Sequence, residues 1–305
     1  MTIQLEHVGV TTPDGVRLNV EVTGPADAPV TVLLVHGWTC STRSWHNQVE
    51  TLPDVLGRDE VRVVSYDHRG HGRSDAAPPG TMRIEQLADD LVTVLDSVVG
   101  DGPVVYAGHS MGGMTLMTLA DRHPELFGSR IRATALISTS SGQITAGALG
   151  LPKRLEPAAA ALAPRAMNLV GARRDRRPAG KPLSAQVQRS GLRRLVFGKK
   201  PDSAEVELFL EDLAVVPGPS YGGFFEAILH HDKADALKVL DQLPVEVMHG
   251  TRDRLLPPRH ANRIAAQLPS ARLWMYPGAG HMLMQERPRD VTHRLASLAR
   301  KARVG

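Results

Sequence analysis

A single cysteine, Cys40, stands among the 305 residues, so no disulfide can form within the chain and folding needs no oxidising compartment. Its simplest reading is a small buried hydrophobe. Aromatic residues make up only 4% of the sequence. None interleaves with a basic stripe in the way single-strand nucleic-acid readers require, so nucleic acid is not expected as a partner. No stretch reaches the roughly 18 uninterrupted apolar residues of a membrane span, which argues against stable membrane insertion. The residues from Met1 to His7 include Glu6 and lack the basic region followed by an apolar one that marks a secretory signal. A cytoplasmic protein is expected. Internal repeats are missing as well.

Hydrophobic residues reach 42%, enough for a sizeable core in one large domain or a domain with an insertion. The formal charge of +4 is unevenly spread. Lys and Arg crowd the segment from Lys153 to Lys200, where only Glu156 and Asp175 oppose them, and the remainder is net acidic. Short β-branched runs bounded by turn residues predict strands at Val16 to Val22, Val30 to Val35, Val61 to Tyr66, Val104 to Ala107, Ala133 to Ser138, Val245 to His249 and Arg272 to Tyr276. Helical spacing intervenes at Ile84 to Val99, Met111 to Arg122 and Arg259 to Leu268. Such alternation implies a mostly parallel sheet covered on both faces. The first two runs are separated by too few residues for a crossover helix and are expected to pair antiparallel at one edge. From 141 to 233 the rhythm stops, and an insertion rich in Ala, Leu, Pro and Arg is expected to be helical. Its apolar stretches, Ala158 to Leu162 and Ala166 to Val170, should cover the open end of the sheet. Its arginines are expected to be solvated.

The strongest local signal is Gly108-His109-Ser110-Met111-Gly112-Gly113, between a predicted strand and a predicted helix. A sharp strand-to-helix turn crowds the backbone beside its middle residue, so glycine is required at 108 and 112, and the Ser110 hydroxyl is left exposed at the tip. The helix N-terminus that follows favours nearby negative charge. His109 cannot serve Ser110 as base, because the elbow directs neighbouring side chains away from it.

With this motif in this setting the chain resembles an α/β-hydrolase, from about Val16 to about Leu298. The resemblance implies an eight-stranded, mostly parallel sheet with an antiparallel N-terminal edge. It implies a core domain of residues 1–140 and 234–305 and a helical cap at 141–233. It also implies the order nucleophile, acid, histidine. His281, in the loop Pro277-Gly278-Ala279-Gly280-His281 past the last predicted strand, lies where the family places its base. Asp253, in the turn after Val245 to His249, is the acid that would fix the imidazole tautomer. The other acid position of the family falls in Thr139-Ser140-Ser141-Gly142, which holds no carboxylate. Acyl transfer also needs oxyanion donors. The backbone N–H groups of Met111 and of Trp38, in His36-Gly37-Trp38-Thr39, fit the family's pattern. Trp38, His109 and Met282, each beside one of these positions, are expected to contact substrate.

Cleavage of a carboxylic ester through an acyl-enzyme on Ser110 is the leading expectation, with a small-molecule ester of apolar acyl group as partner and no cofactor or metal. A serine at the elbow disfavours epoxide opening, which uses an aspartate there. His36 to Trp38 followed by Ser44, Trp45 and Gln48 also resembles the cofactor-free haloperoxidase and perhydrolase branch, where peroxide replaces water. A small-molecule receptor with a slowed triad is the reading from another class. The stretch Asp67-His68-Arg69-Gly70-His71-Gly72-Arg73-Ser74 is expected to be structural and not a metal site.

Overall fold

The computed structural model describes residues 4–144, 165–167, 169–171 and 184–303. Its centre is a sheet of β1 (Glu6–Thr11), β2 (Arg17–Thr23), β3 (Thr31–Val35), β4 (Arg62–Tyr66), β5 (Val104–His109), β6 (Ile131–Ile137), β7 (Val245–Gly250) and β8 (Arg272–Tyr276). The strands lie in the order β1-β2-β4-β3-β5-β6-β7-β8. From β4 to β8 every pairing is parallel, while β1 with β2 and β2 with β4 are antiparallel.

Two expectations are corrected here. The strand β1 had no signal of its own, because it is an edge strand whose alternation is weak and whose residues are mostly exposed. The first two predicted runs do run in opposite directions, but they do not pair: β4 lies between them, hydrogen-bonded to β2 on one side and β3 on the other. A short connection excludes a parallel neighbour; it does not compel adjacency.

The helices α1 (His46–Leu56), α2 (Ile84–Val94) and α3 (Met111–Arg122) flank the first half of the sheet. One wide turn of π geometry, Leu95–Val99, continues α2 to its predicted end. Between β6 and β7 come α4 (Ser184–Val196), α5 (Ser203–Val215), α6 (Gly218–His230) and the short α7 (Leu237–Leu240). Then follow α8 (Arg259–Gln267), α9 (Leu283–Glu286) and α10 (Pro288–Ala302).

The central strands are buried on both faces, and their two-residue period sorts side chains between two cores. Leu33 and Val35 of β3, with Val104 and Tyr106 of β5, join α2, α3, α7 and α8 on one face. Val32, Leu34, Val105 and Ala107 join α1 and α10 on the other. Phe197 after α4 and Val206, Phe209 and Leu213 of α5 continue that second core over the carboxyl ends of the strands.

Ala158 to Leu162, and the basic residues from Arg173 to Lys181, lie outside the described residues. Of the stretch Ala166 to Val170, Met167 lines a cavity described below, while Leu169 and Val170 are 53% and 43% exposed. Arg165, Arg193, Arg194, Lys199 and Lys200 are exposed, as expected of a solvated basic face.

Candidate active site

Parallel strands deliver their following loops to one edge of the sheet, the usual location of ligand sites in such folds. Ser110 follows β5 at once, Trp38 comes three residues past β3, Asp253 three past β7 and His281 five past β8. Each local turn has its own cause.

Ser110 sits at φ 50° and ψ −114°, a conformation that costs a non-glycine residue on the order of 1–3 kcal/mol. Surrounding bonds hold it there: its N–H donates to the Ile137 carbonyl at 2.9 Å, and its carbonyl accepts from Gly113 N–H at 2.9 Å and from Thr139 Oγ1 at 2.7 Å. A Cβ at Gly108 would lie 2.7 Å from the Gly112 carbonyl carbon, and one at Gly112 would collide with the Val35 carbonyl oxygen. The two glycines required by the turn are therefore required by contact.

Asp253 is 3% exposed, and both its oxygens are engaged. Oδ1 accepts from the N–H groups of Leu255 at 3.0 Å and Leu256 at 2.9 Å. Oδ2 accepts from Nδ1 of His281 at 2.7 Å, and Nε2 of His249 lies 3.4 Å from the same oxygen. Burial lowers the pKa of His249 against the opposing pull of Asp253, and this ring also bonds the Leu256 carbonyl at 2.7 Å. A carboxylate that accepts from Nδ1 fixes the proton on that nitrogen and leaves Nε2 of His281 with its lone pair.

Ser110 and His281 line one cavity of about 150 Å³, together with Trp38 and Met282. The rest of its lining is apolar apart from Thr39, Cys40 and Tyr221. Among the described residues no hydrogen bond joins the Ser110 hydroxyl to the imidazole, a contact that is commonly long until substrate closes the site. Met111 opens α3, so its N–H is one of the four that have no acceptor within the helix.

His109 is not where a substrate contact was expected. Its ring is buried, and its Nε2 meets the His281 carbonyl at 3.0 Å, with the two imidazoles 4.8 Å apart. Burial holds this ring neutral, so it donates to that carbonyl and props the loop of His281. The turn that exposes Ser110 directs its neighbour inward.

The clamp on Trp38 had no signal in the sequence. The indole N–H donates to the Tyr221 carbonyl at 3.1 Å, and its rings stand 4.7 Å from Tyr221 and 5.4 Å from Phe225. Both partners belong to α6, in the inserted segment. Tyr221 and Phe225 are four residues apart, a spacing readable as one helix face but not as a grip on a loop far away in the chain.

In the 67–74 stretch, Asp67 accepts from the N–H groups of Thr42 at 2.8 Å and Arg73 at 2.9 Å. His36 Nε2 accepts from His68 N–H at 3.0 Å. These bonds tie the loop after β3 to the loop after β4. Among the described residues no group of His, Cys, Asp and Glu has the arrangement of a metal site, and no helix is long and apolar enough to cross a membrane.

The chain is 36% identical over 148 residues to the lipase LipV of Mycobacterium tuberculosis, which covers 48% of this chain and 53% of that one. It is 36% identical over 115 residues to the bifunctional esterase/perhydrolase DCH of Acinetobacter calcoaceticus, covering 38% and 39%. These matches thus span about half, or less, of the relatives' length. A thermophilic esterase from Thermogutta terrifontis superposes with a TM-score of 0.75 at 24% identity, over 98% of this chain and 100% of that one, a likeness of fold. The model of the alpha/beta hydrolase fold family matches residues 30–288, and the chain belongs to that family.

Proposed function

We propose that the chain is a serine hydrolase that cleaves a carboxylic ester through an acyl-enzyme on Ser110. The observation that carries the reading is the 2.7 Å hydrogen bond between Asp253 and His281 at the wall of a cavity that Ser110 also lines. In the first step Ser110 Oγ attacks the ester carbonyl carbon while Nε2 of His281 takes its proton. The N–H groups of Trp38 and Met111 donate to the carbonyl oxygen and stabilise the negative charge that develops on it. The carbon–oxygen bond to the alcohol then breaks, and the imidazolium returns the proton to the leaving alcohol. Water repeats the sequence on the acyl-enzyme and releases the acid. Neither cofactor nor metal has a part in these steps.

The inserted segment 141–233 is read as a cap, with residues 1–140 and 234–305 as the core, in a cytoplasmic protein. Among the described residues none of the cavity's lining side chains is Asp, Glu, Lys or Arg. An isolated charge would lose its hydration there without compensation. The substrate class is therefore a neutral ester with a medium-length apolar acyl group.

Perhydrolysis would use the same acyl-enzyme with peroxide in place of water. The relative named esterase/perhydrolase favours keeping it as a second reading. Trp45 and Gln48, which suggested it, do not line the cavity. Trp45, just before α1, is fully buried, and Gln48 of α1 donates to the Met284 carbonyl of α9 at 3.1 Å.

The test is a fluorophosphonate probe with a series of p-nitrophenyl esters, with and without peroxide. Wild type is expected to be labelled and to favour chains of about four to eight carbons, and Ser110→Ala to be unlabelled and inactive. Ester turnover by Ser110→Ala at the wild-type rate would end the proposal. Labelling with turnover below about one per minute on every ester would favour a receptor.

A further inference from the structure

The loop that carries His281 is held by a carboxylate that is neither its acid nor part of the cavity. Glu286, the last residue of α9, accepts the N–H of Gly280 on Oε1 at 2.8 Å and the N–H of Gly198 on Oε2 at 2.9 Å. Gly280 immediately precedes His281, and Gly198 lies two residues past the end of α4, in the inserted segment. Two backbone bonds run beside this bridge: His281 N–H to the Val196 carbonyl at 2.7 Å, and Lys199 N–H to the Gly278 carbonyl at 3.0 Å. The exit of α4 and the histidine loop form a short ladder, and Glu286 is the side chain that spans it.

The ladder depends on backbones that approach without Cβ atoms. A Cβ at Gly280 would lie 2.5 Å from the Phe197 carbonyl carbon and 2.6 Å from the Gly198 nitrogen. One at Gly198 would strike the Gly278 carbonyl oxygen, and one at Gly250, at the end of β7, the Gly280 carbonyl oxygen. Into this junction the chain places an acid. Burial raises the pKa of Glu286, and the two N–H groups oppose burial by favouring its ionised form. A carboxylate offers two acceptor oxygens that can face two amides at once, whereas a glutamine offers one acceptor and turns a donor toward the other amide.

We propose that Glu286 is a positioning residue for His281, whose carboxylate ties the loop of the base to the exit of α4 and so sets the imidazole's place opposite Ser110. The inference rests on the reading of His281 as the base. It also means that the placement of the inserted segment and the placement of the base are not independent.

The test compares wild type with Glu286→Gln, which keeps the shape, and Glu286→Asp, which keeps the charge but is one methylene too short to span both amides. Amide hydrogen exchange and steady-state kinetics on a short p-nitrophenyl ester are read on each variant that folds by circular dichroism. Exchange at one at least of Gly198 and Gly280 should speed up at least tenfold in each variant. With that, kcat should fall about 10- to 100-fold while KM stays within threefold, since binding in the cavity does not involve Glu286. Unchanged exchange, or faster exchange with kcat within twofold of wild type, would overturn the proposal. Failure of the triad reading would show separately, as activity retained by Ser110→Ala in the otherwise wild-type protein.

Discussion

Each oxygen of Asp253 has a fixed duty: Oδ1 serves two backbone amides and Oδ2 serves the imidazole. In Asp253→Asn the amides of Leu255 and Leu256 would claim the single carbonyl oxygen, leaving an NH₂ group toward Nδ1 of His281. The imidazole would then carry its proton on Nε2, the wrong nitrogen to receive one from Ser110. A fall in kcat of about 10³- to 10⁴-fold with little change in KM is expected. Steady-state kinetics on a p-nitrophenyl ester checks it, and a loss under tenfold would remove Asp253 from the mechanism. The positions of Ser110, Asp253 and His281 were legible because each lies within a few residues of the end of a short apolar run. The role of His109 was not, since an elbow that turns this side chain away from Ser110 does not say which distant carbonyl it meets. Nor was the hold on Trp38, because its acceptor is a backbone carbonyl, and a carbonyl has no residue type.

Among the elements, β2 to β8 were legible as apolar runs, whereas β1, with four of its six residues exposed, was not. The placement of β4 between β2 and β3 is a property of crossovers and leaves no local trace. The contact between α5 and the loop after β3 is equally silent. There Asp212, 4% exposed, accepts from Ser41 Oγ at 2.7 Å and from Arg43 at 3.3 Å. Burial pushes its carboxyl up to about 6. A raised acid means that the folded chain holds a proton which the unfolded chain has already released, so this group's contribution to stability is lost as pH rises from about 3.8 to about 6. Asp212→Asn keeps an acceptor for Ser41 and removes the disfavoured charge. It is expected to be more stable than wild type by about 1–3 kcal/mol at pH 7.5, an advantage that disappears near pH 4. Urea midpoints across that range decide it, and a less stable variant at pH 7.5 would show that the pairing with Arg43 outweighs burial.

The whole molecule carries an opposite dependence. His36, His68 and His71 pack together where the loops after β3 and β4 meet, with ring centroids 4.7 Å apart for His36 and His68 and 5.5 Å for His36 and His71. Burial lowers His36 to about 4 and His71 to about 3, and it lowers His231 and His260, elsewhere at that end of the molecule, to about 4 each. Depressed histidines leave the unfolded chain as the better proton acceptor below about 6.5, so stability is full above that pH and is lost as pH falls toward 4. Each group contributes at most about 1.4 kcal/mol per pH unit, and a domain has only about 5–15 kcal/mol in reserve. Between pH 6.5 and 5 the chain should lose roughly 3–8 kcal/mol, the histidines outweighing Asp212, which acts in the other direction over part of that range. The decline should be steeper in Asp212→Asn, where the compensating acid is gone. Urea unfolding of both proteins at pH 7.5, 6.5, 5.5 and 5.0 measures the two slopes, and a flat wild-type midpoint would mean that these rings take up protons inside the folded protein.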